Sequence, residues 1–228
     1  MPSIPPPYFP PEWKARADGL LMVGGHLTSD WLLTSYGRGI FPWPIVEDGV
    51  EILAWFSPDP RAVLELDRLH VSRRLQRRIR SGQFQISFDA DFAAVVAGCA
   101  EPRATDSSTW ITPGLAAAYR GLHDLGHAHS VEVWQQGQLV GGVYGVALGG
   151  YFSGESMFHR CRDASKVGLV YLLERLQQRG FTLFDVQQSS PHLRSLGAIE
   201  IPRRQFLDRL GESVELPVSF ADNSPPTC

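Results

Sequence analysis

The chain reads as an α+β protein, and three features of its second half predict this. Apolar, strand-like runs over residues 128 to 135, 139 to 148 and 151 to 153 are joined by the short links Gln136-Gly137-Gln138 and Gly149-Gly150. Links of that length join antiparallel neighbours, so the runs form a meander. A long amphipathic segment follows, with Asp163 as its cap, running to about Arg179 and ended by Gly180, which predicts a helix. Residues 181 to 187 then return to the sheet as an apolar strand, and a meander followed by helix and strand is an α+β layout.

The earlier elements follow from local signals. After a proline-rich start, Thr28 or Ser29 can cap a helix through Tyr36, which Gly37 and Gly39 end. Residues 40 to 44 predict a rigid aromatic loop. Strands are expected at 52 to 56 and 62 to 66 around the turn Ser57-Pro58-Asp59-Pro60. That turn is the place to divide a small N-terminal unit, residues 1 to 60, from the main domain, residues 61 to 228. Next come an arginine-rich helix, a strand over 84 to 88, a helix capped by Asp89, and a polar loop over 101 to 112 bearing Trp110. Thr112-Pro113 caps and starts a helix to about His123, and Gly126 closes it. The stretch after Leu216 reads as a polar tail.

Composition narrows the function classes. At 228 residues, 43% hydrophobic and 20% charged, the chain can bury a substantial core. No run approaches the roughly 20 apolar residues of a membrane helix, and the first residues lack a basic and apolar leader, so a cytoplasmic protein is expected. Cys99, Cys161 and Cys228 fall in no metal or redox spacing, which suits reduced thiols. His123, His127 and His129 suggest zinc, but Gly126 breaks the helix between the first two, and no metal site is expected.

Two stretches carry the chemistry: Gly154-Glu155-Ser156-Met157-Phe158 and Phe184-Asp185-Val186-Gln187. Glu155 is a lone carboxylate leaving the sheet, and it could simply pair with Arg160 or Arg162. The two-residue period of a strand puts Asp185 and Gln187 on one face. They fit either a strand end, with Asp185 accepting backbone hydrogen bonds and Gln187 facing solvent, or a reacting pair. Arg73, Arg74, Arg77 and Arg78 share a helical stripe with His70, while Val71, Leu75 and Ile79 lie opposite. With Arg68 and Arg80 they form a solvated face or a phosphate-contacting patch. Trp43 and Trp110 sit in or beside loops, where a ring either packs or stacks on a base. A CoA-dependent N-acetyltransferase suits this layout, but it needs a glycine-containing pyrophosphate loop, and the link over residues 157 to 165 has no glycine.

From Phe9 to about Leu210 the chain resembles the leucyl/phenylalanyl-tRNA-protein transferase family. The resemblance rests on Gly24-Gly25, Arg38-Gly39-Ile40-Phe41-Pro42-Trp43, Trp55-Phe56-Ser57-Pro58-Asp59-Pro60-Arg61, Thr109-Trp110-Ile111-Thr112, His127-Ala128-His129-Ser130-Val131-Glu132, the two stretches above, Ala164-Ser165-Lys166 and Ser195-Leu196-Gly197-Ala198, in order. It implies an N-acetyltransferase-like (GNAT) C-terminal domain with a mixed, largely antiparallel sheet behind a small N-terminal domain. It further implies transfer of Leu, Phe and less readily Met from aminoacyl-tRNA to proteins beginning with Arg or Lys, marking them for degradation, with neither cofactor nor metal and with the enzyme a monomer. By the same resemblance Asp185 polarises Gln187, which receives a hydrogen bond from the attacking amine. Glu155 meets the acceptor's N-terminal Arg or Lys. Val143, Phe152, Met157, Leu169, Leu172 and Leu176 form the aminoacyl pocket. Trp43, Trp110 and Tyr119 flank the terminal adenosine, and Arg73, Arg74, Arg77, Arg78 and Arg80 take the tRNA backbone. One departure is His26, where the family usually has Asp.

Overall fold

The computed structural model describes residues 4–47, 50–102 and 109–221. Cys228, the far end of the polar tail, the first three residues of the proline-rich start and residues 103–108 of the polar loop lie outside these. In chain order the elements are β1 (Leu20–Val23), α1 (Ser29–Tyr36), β2 (Phe41–Pro42), β3 (Ile45–Glu47), β4 (Val50–Ile52), β5 (Ala54–Phe56), β6 (Arg61–Val63), α2 (Arg73–Arg80), β7 (Gln85–Phe88), α3 (Phe92–Ala100) and α4 (Pro113–Asp124). They continue with β8 (Ala128–Gln135), β9 (Gln138–Leu148), β10 (Tyr151–His159), α5 (Ala164–Gln178), β11 (Leu183–Gln187), α6 (Pro191–Ser195), β12 (Ile199–Ile201) and α7 (Arg203–Val214).

The expected layout is present. Seven strands form one mixed sheet in the order β12-β6-β11-β10-β9-β8-β7, and among its neighbours only β10 and β11 run parallel. Alternation along β9 explains the layers. Tyr144 and Val146 belong to an apolar cluster with α3 and α4, whereas Val143 and Ala147 belong to one with α5. The small sheet β1-β5-β2 lies in the N-terminal part, where Phe9, Trp31 and Trp55 form an aromatic knot that runs without interruption into the α3 and α4 side of the core. His26 packs edge-on against Trp31 at 5.5 Å, so the departure at that position is absorbed as an aromatic contact. No helix among the described residues is long and apolar enough to cross a membrane.

Several elements differ from expectation. Residues 40 to 44 are not all loop, because Phe41 and Pro42 pair with β5; the expected strand at 52 to 56 breaks at Leu53 into β4 and β5, which belong to different sheets. Asp91, not Asp89, caps α3 by accepting from Ala94 N at 3.0 Å; Asp89 adopts a left-handed turn and binds Ser130 N and His129 instead. Asp163 stands at the start of α5 without capping it. Its carboxylate meets Arg74 at 3.4 Å and Arg78 at 3.6 Å, and so fastens α2 to α5. Past Gln187 the chain adds α6, β12 and α7, and β12 and β6 extend the sheet beyond β11.

The largest difference decides the site. β10 does not stop at Ser153 but continues to His159 through a bulge between Gly154 and Ser156, and Glu155 is the extra residue. A bulge bends its strand and re-aims a side chain. Gly145 opposite permits the close approach, since a Cβ there would lie 2.1 Å from Ser153 O. A second irregularity falls at the same level of β11, between Asp185 and Gln187. The parallel pairing runs only from Tyr151 with Leu183 to Ser153 with Asp185.

Candidate active site

Where that pairing ends, a cleft of about 790 Å³ opens. Glu155 and Gln187 both line it, each at the irregularity of its own strand. They touch: the Gln187 amide nitrogen donates to Ser153 Oγ at 2.7 Å and to Glu155 Oε1 at 3.3 Å. Ser153 in turn donates to Glu155 Oε1 at 2.8 Å, and Tyr119 donates to Oε2 at 2.6 Å. Neither Arg160 nor Arg162 reaches Glu155: Arg160 pairs with Glu101, and Arg162 comes nearest Asp163. With hydroxyls and an amide for neighbours, burial pushes the Glu155 carboxyl up to about 7, while Tyr119, Ser153 and Tyr36 pull the other way.

Asp185 is placed differently. It is fully buried, and Arg61 grips it with two nitrogens at 2.9 and 2.6 Å. Tyr151 donates to the same carboxylate at 2.8 Å and the Gln187 main-chain N–H at 2.9 Å. Asp185 therefore meets Gln187 through the backbone, not through the amide it was expected to polarise. Gln187 has φ +58, a left-handed conformation that this hydrogen bond helps to hold. Arg61 itself lies between the Phe41 and Phe206 rings, at 4.9 and 4.5 Å from their centroids, and donates to Gly39 O. Burial works against its charge, yet Asp185 and Tyr151 more than offset that and raise its pKa.

The expected apolar pocket divides. Val143, Met157 and Leu169 line the cleft, joined by Phe184, Val186, Leu193 and Ile45. Phe152, Leu172 and Leu176 do not; they are buried behind it, in the same apolar cluster. Periodicity marks the buried face of α5 but does not say which part of that face meets a cavity. Trp43 and Trp110 line the cleft but stack on each other, centroids 4.7 Å apart and planes 11° apart. A base between them would need about 7 Å, twice an ordinary contact distance, so the pair offers an outer face rather than a slot. Tyr119 is no part of the wall: it is fully buried beneath Glu155 and hydrogen-bonded to Tyr36 at 2.9 Å. On α2, Arg73, Arg74, Arg77 and Arg80 are exposed, Arg74 and Arg78 are tied to Asp163, and none of the five lines the cleft.

Sequence reasoning missed Arg61 as the partner of Asp185, although Arg61 lies in the quoted Pro60-Arg61 motif, and Phe184, which shares β11 with Asp185. It also missed the polar wall Gln188, Ser189, Ser190 and His192, for which no spacing signal exists.

Residues 63–211 match the model of the leucyl/phenylalanyl-tRNA protein transferase family, and residues 25–59 match that family's N-terminal domain. A leucyl/phenylalanyl-tRNA–protein transferase of Stutzerimonas stutzeri is 52% identical over 216 residues, 94% of this chain and 94% of that one. One of Syntrophobacter fumaroxidans is 53% identical over 207 residues, 90% of this chain and 87% of that one. Among solved structures, a GCN5-related N-acetyltransferase from Kribbella flavida aligns at 13% identity and a TM-score of 0.42, covering 72% of this chain and 58% of that one.

Proposed function

As the chain belongs to the leucyl/phenylalanyl-tRNA-protein transferase family, we propose that it moves Leu, Phe and less readily Met from aminoacyl-tRNA to the N-terminal Arg or Lys of proteins, marking them for degradation. The observation that carries the site assignment is the meeting of Glu155 and Gln187 on a largely apolar cleft, at the point where β10 and β11 part. An aminoacyl ester is already activated, so the protein has mainly to hold an amine against the ester carbonyl and to handle a proton. With the Gln187 amide nitrogen committed to Ser153 and Glu155, its oxygen is the atom left to accept from the incoming amine. Asp185 acts through Gln187 as a positioning residue, and Glu155 receives the acceptor's N-terminal residue.

Val143, Met157, Leu169 and Phe184 suit an aliphatic or aromatic aminoacyl side chain, and a pocket of this kind rejects polar side chains strongly while separating apolar ones weakly. The outer face of the Trp43–Trp110 stack takes the terminal base. The exposed arginines of α2 take the tRNA backbone, and the protein works in the cytoplasm as a monomer. In this reading residues 1 to 60 form the small domain that carries Trp43, and residues 61 to 228 perform the transfer.

The decisive experiment measures transfer of labelled leucine from leucyl-tRNA to a peptide beginning with Arg, beside a glutamate-initiated peptide and an acetyl-CoA arm. Label on the Arg peptide alone is expected. Label on the Glu peptide would remove Glu155 from the acceptor site, and acetylation without leucylation would overturn the transferase reading.

A further inference from the structure

Beneath Glu155 lies a directional chain of hydroxyls that the binding of substrates does not require. The Tyr119 hydroxyl has one hydrogen, and it goes to Glu155 Oε2 at 2.6 Å. In its 2.9 Å contact with Tyr36 it must therefore accept, so Tyr36 donates to Tyr119 and Tyr119 donates to Glu155. Both tyrosines are fully buried, one from α1 and one from α4, and burial raises both pKa values well above the ordinary range, so both remain donors. Chained donors strengthen one another. Their common target is the carboxylate beside Gln187 on the cleft wall. Resting on the transferase reading, we infer that Glu155 accepts the proton of the acceptor's α-ammonium, and that Tyr119 and, through it, Tyr36 are positioning residues that keep its carboxylate ionised and aimed.

The chemistry balances. One ammonium proton passes to Glu155, and the freed lone pair forms the C–N bond at the ester carbonyl carbon. The bond from that carbon to the ribose oxygen breaks, and the second amine proton leaves with that oxygen as a hydroxyl. Ester and ammonium become amide, alcohol and one proton, which Glu155 returns to water. A carboxyl pushed up to about 7 is well matched to this exchange, because an α-ammonium titrates at about 7.7–8.0 and proton transfer is most effective between groups of similar pKa. Asp185 is unsuited, since Arg61, Tyr151 and the Gln187 N–H occupy both its oxygens. The other ionisable groups bearing on Glu155 are Asp185, whose charge Arg61 faces, and Tyr144, neutral because burial raises its pKa; Cys99, Glu101 and His192 line the same cleft.

The test is the single-turnover rate of leucine transfer to an Arg-initiated peptide at saturating peptide, followed from pH 5.5 to 9. In the unsubstituted chain the rate should rise with pH, with a midpoint set by Glu155 beside the bound peptide. Tyr119→Phe removes a charged-acceptor hydrogen bond and should move that midpoint up by about one pH unit. Tyr36→Phe should move it the same way by less. Glu155→Gln should leave only the peptide's own titration and lower the rate by about 10²-fold or more. The peptide's amine cannot register a change at Tyr119, so a midpoint unmoved in Tyr119→Phe overturns the inference. So does Glu155→Gln if it raises only the peptide KM. Absence of any leucine transfer by the unsubstituted chain would instead sink the transferase reading.

Discussion

Asp185 and Glu155 sit on adjacent strands at nearly the same level, yet the fold treats them in opposite ways. Asp185 has a buried guanidinium on both oxygens, and no water reaches it. Glu155 is half-buried, with hydroxyls and an amide around it and no cation within salt-bridge distance among the described residues. A carboxylate locked by a cation is fixed in charge and direction, whereas one held only by neutral donors can still exchange a proton. The parallel pairing of β10 and β11 keeps the locked group where the strands meet and leaves the exchangeable one where they part.

The strongest way to break this contrast is to take away the lock. Arg61→Met leaves Asp185 charged and alone in the core, at a cost of about 3–5 kcal/mol. Thermal unfolding should then show Tm lower by roughly 10 °C. Adding Asp185→Leu to Arg61→Met should recover at least half of that loss, because two apolar side chains replace a bare buried charge. A double variant no more stable than the single would mean that Arg61 holds the fold through Gly39 O and the two phenyl rings rather than through Asp185.

A second experiment asks what the lock does for the site. Asp185→Asn keeps the size of the side chain but loses the charge that holds Arg61 and weakens the grip on the Gln187 N–H. Single-turnover transfer should fall by about 10²-fold with little change in tRNA affinity, and Gln187→Ala should fall by a similar factor without the accompanying loss of Tm. Were Asp185→Asn to lower Tm and leave the rate untouched, the left-handed Gln187 would owe its geometry to something else.

The same contrast explains what could be read from the sequence. Signals that act within a few residues were legible: Thr112-Pro113 opens α4, Gln136-Gly137 turns β8 into β9, and Gly180 follows the end of α5. Asp185 and Gln187 stood out because polar side chains interrupt an apolar strand. Their partners were hidden, because Arg61 lies 124 residues away and nothing local marks it as the cation for Asp185. The bulge at Glu155 was invisible as well, since it depends on the register against β9 and on Gly145 across from it. Phe152, Leu172 and Leu176 read as pocket residues for a related reason: amphipathicity finds the buried face but not the gap in it.

The smallest expected effect sharpens the comparison most directly, because it asks whether the proton at Glu155 is felt by the fold. In the folded chain the Glu155 carboxyl titrates near 7 against an ordinary 4.5. Below pH 4.5 folded and unfolded chains both carry the proton, and the group adds no pH dependence. Between 4.5 and 7 the unfolded chain gives up its proton first, so stability falls as pH rises, and above 7 a constant penalty remains. Glu155→Gln removes that penalty while its amide oxygen can still accept from Tyr119. Water screens a half-buried group, so the gain at pH 8 is of the order of 1 kcal/mol, or roughly 2–4 °C in Tm, with none at pH 4. A Tm lowered equally at both pH values would make Glu155 a structural anchor like Asp185, and the division of labour between the two strands would be lost.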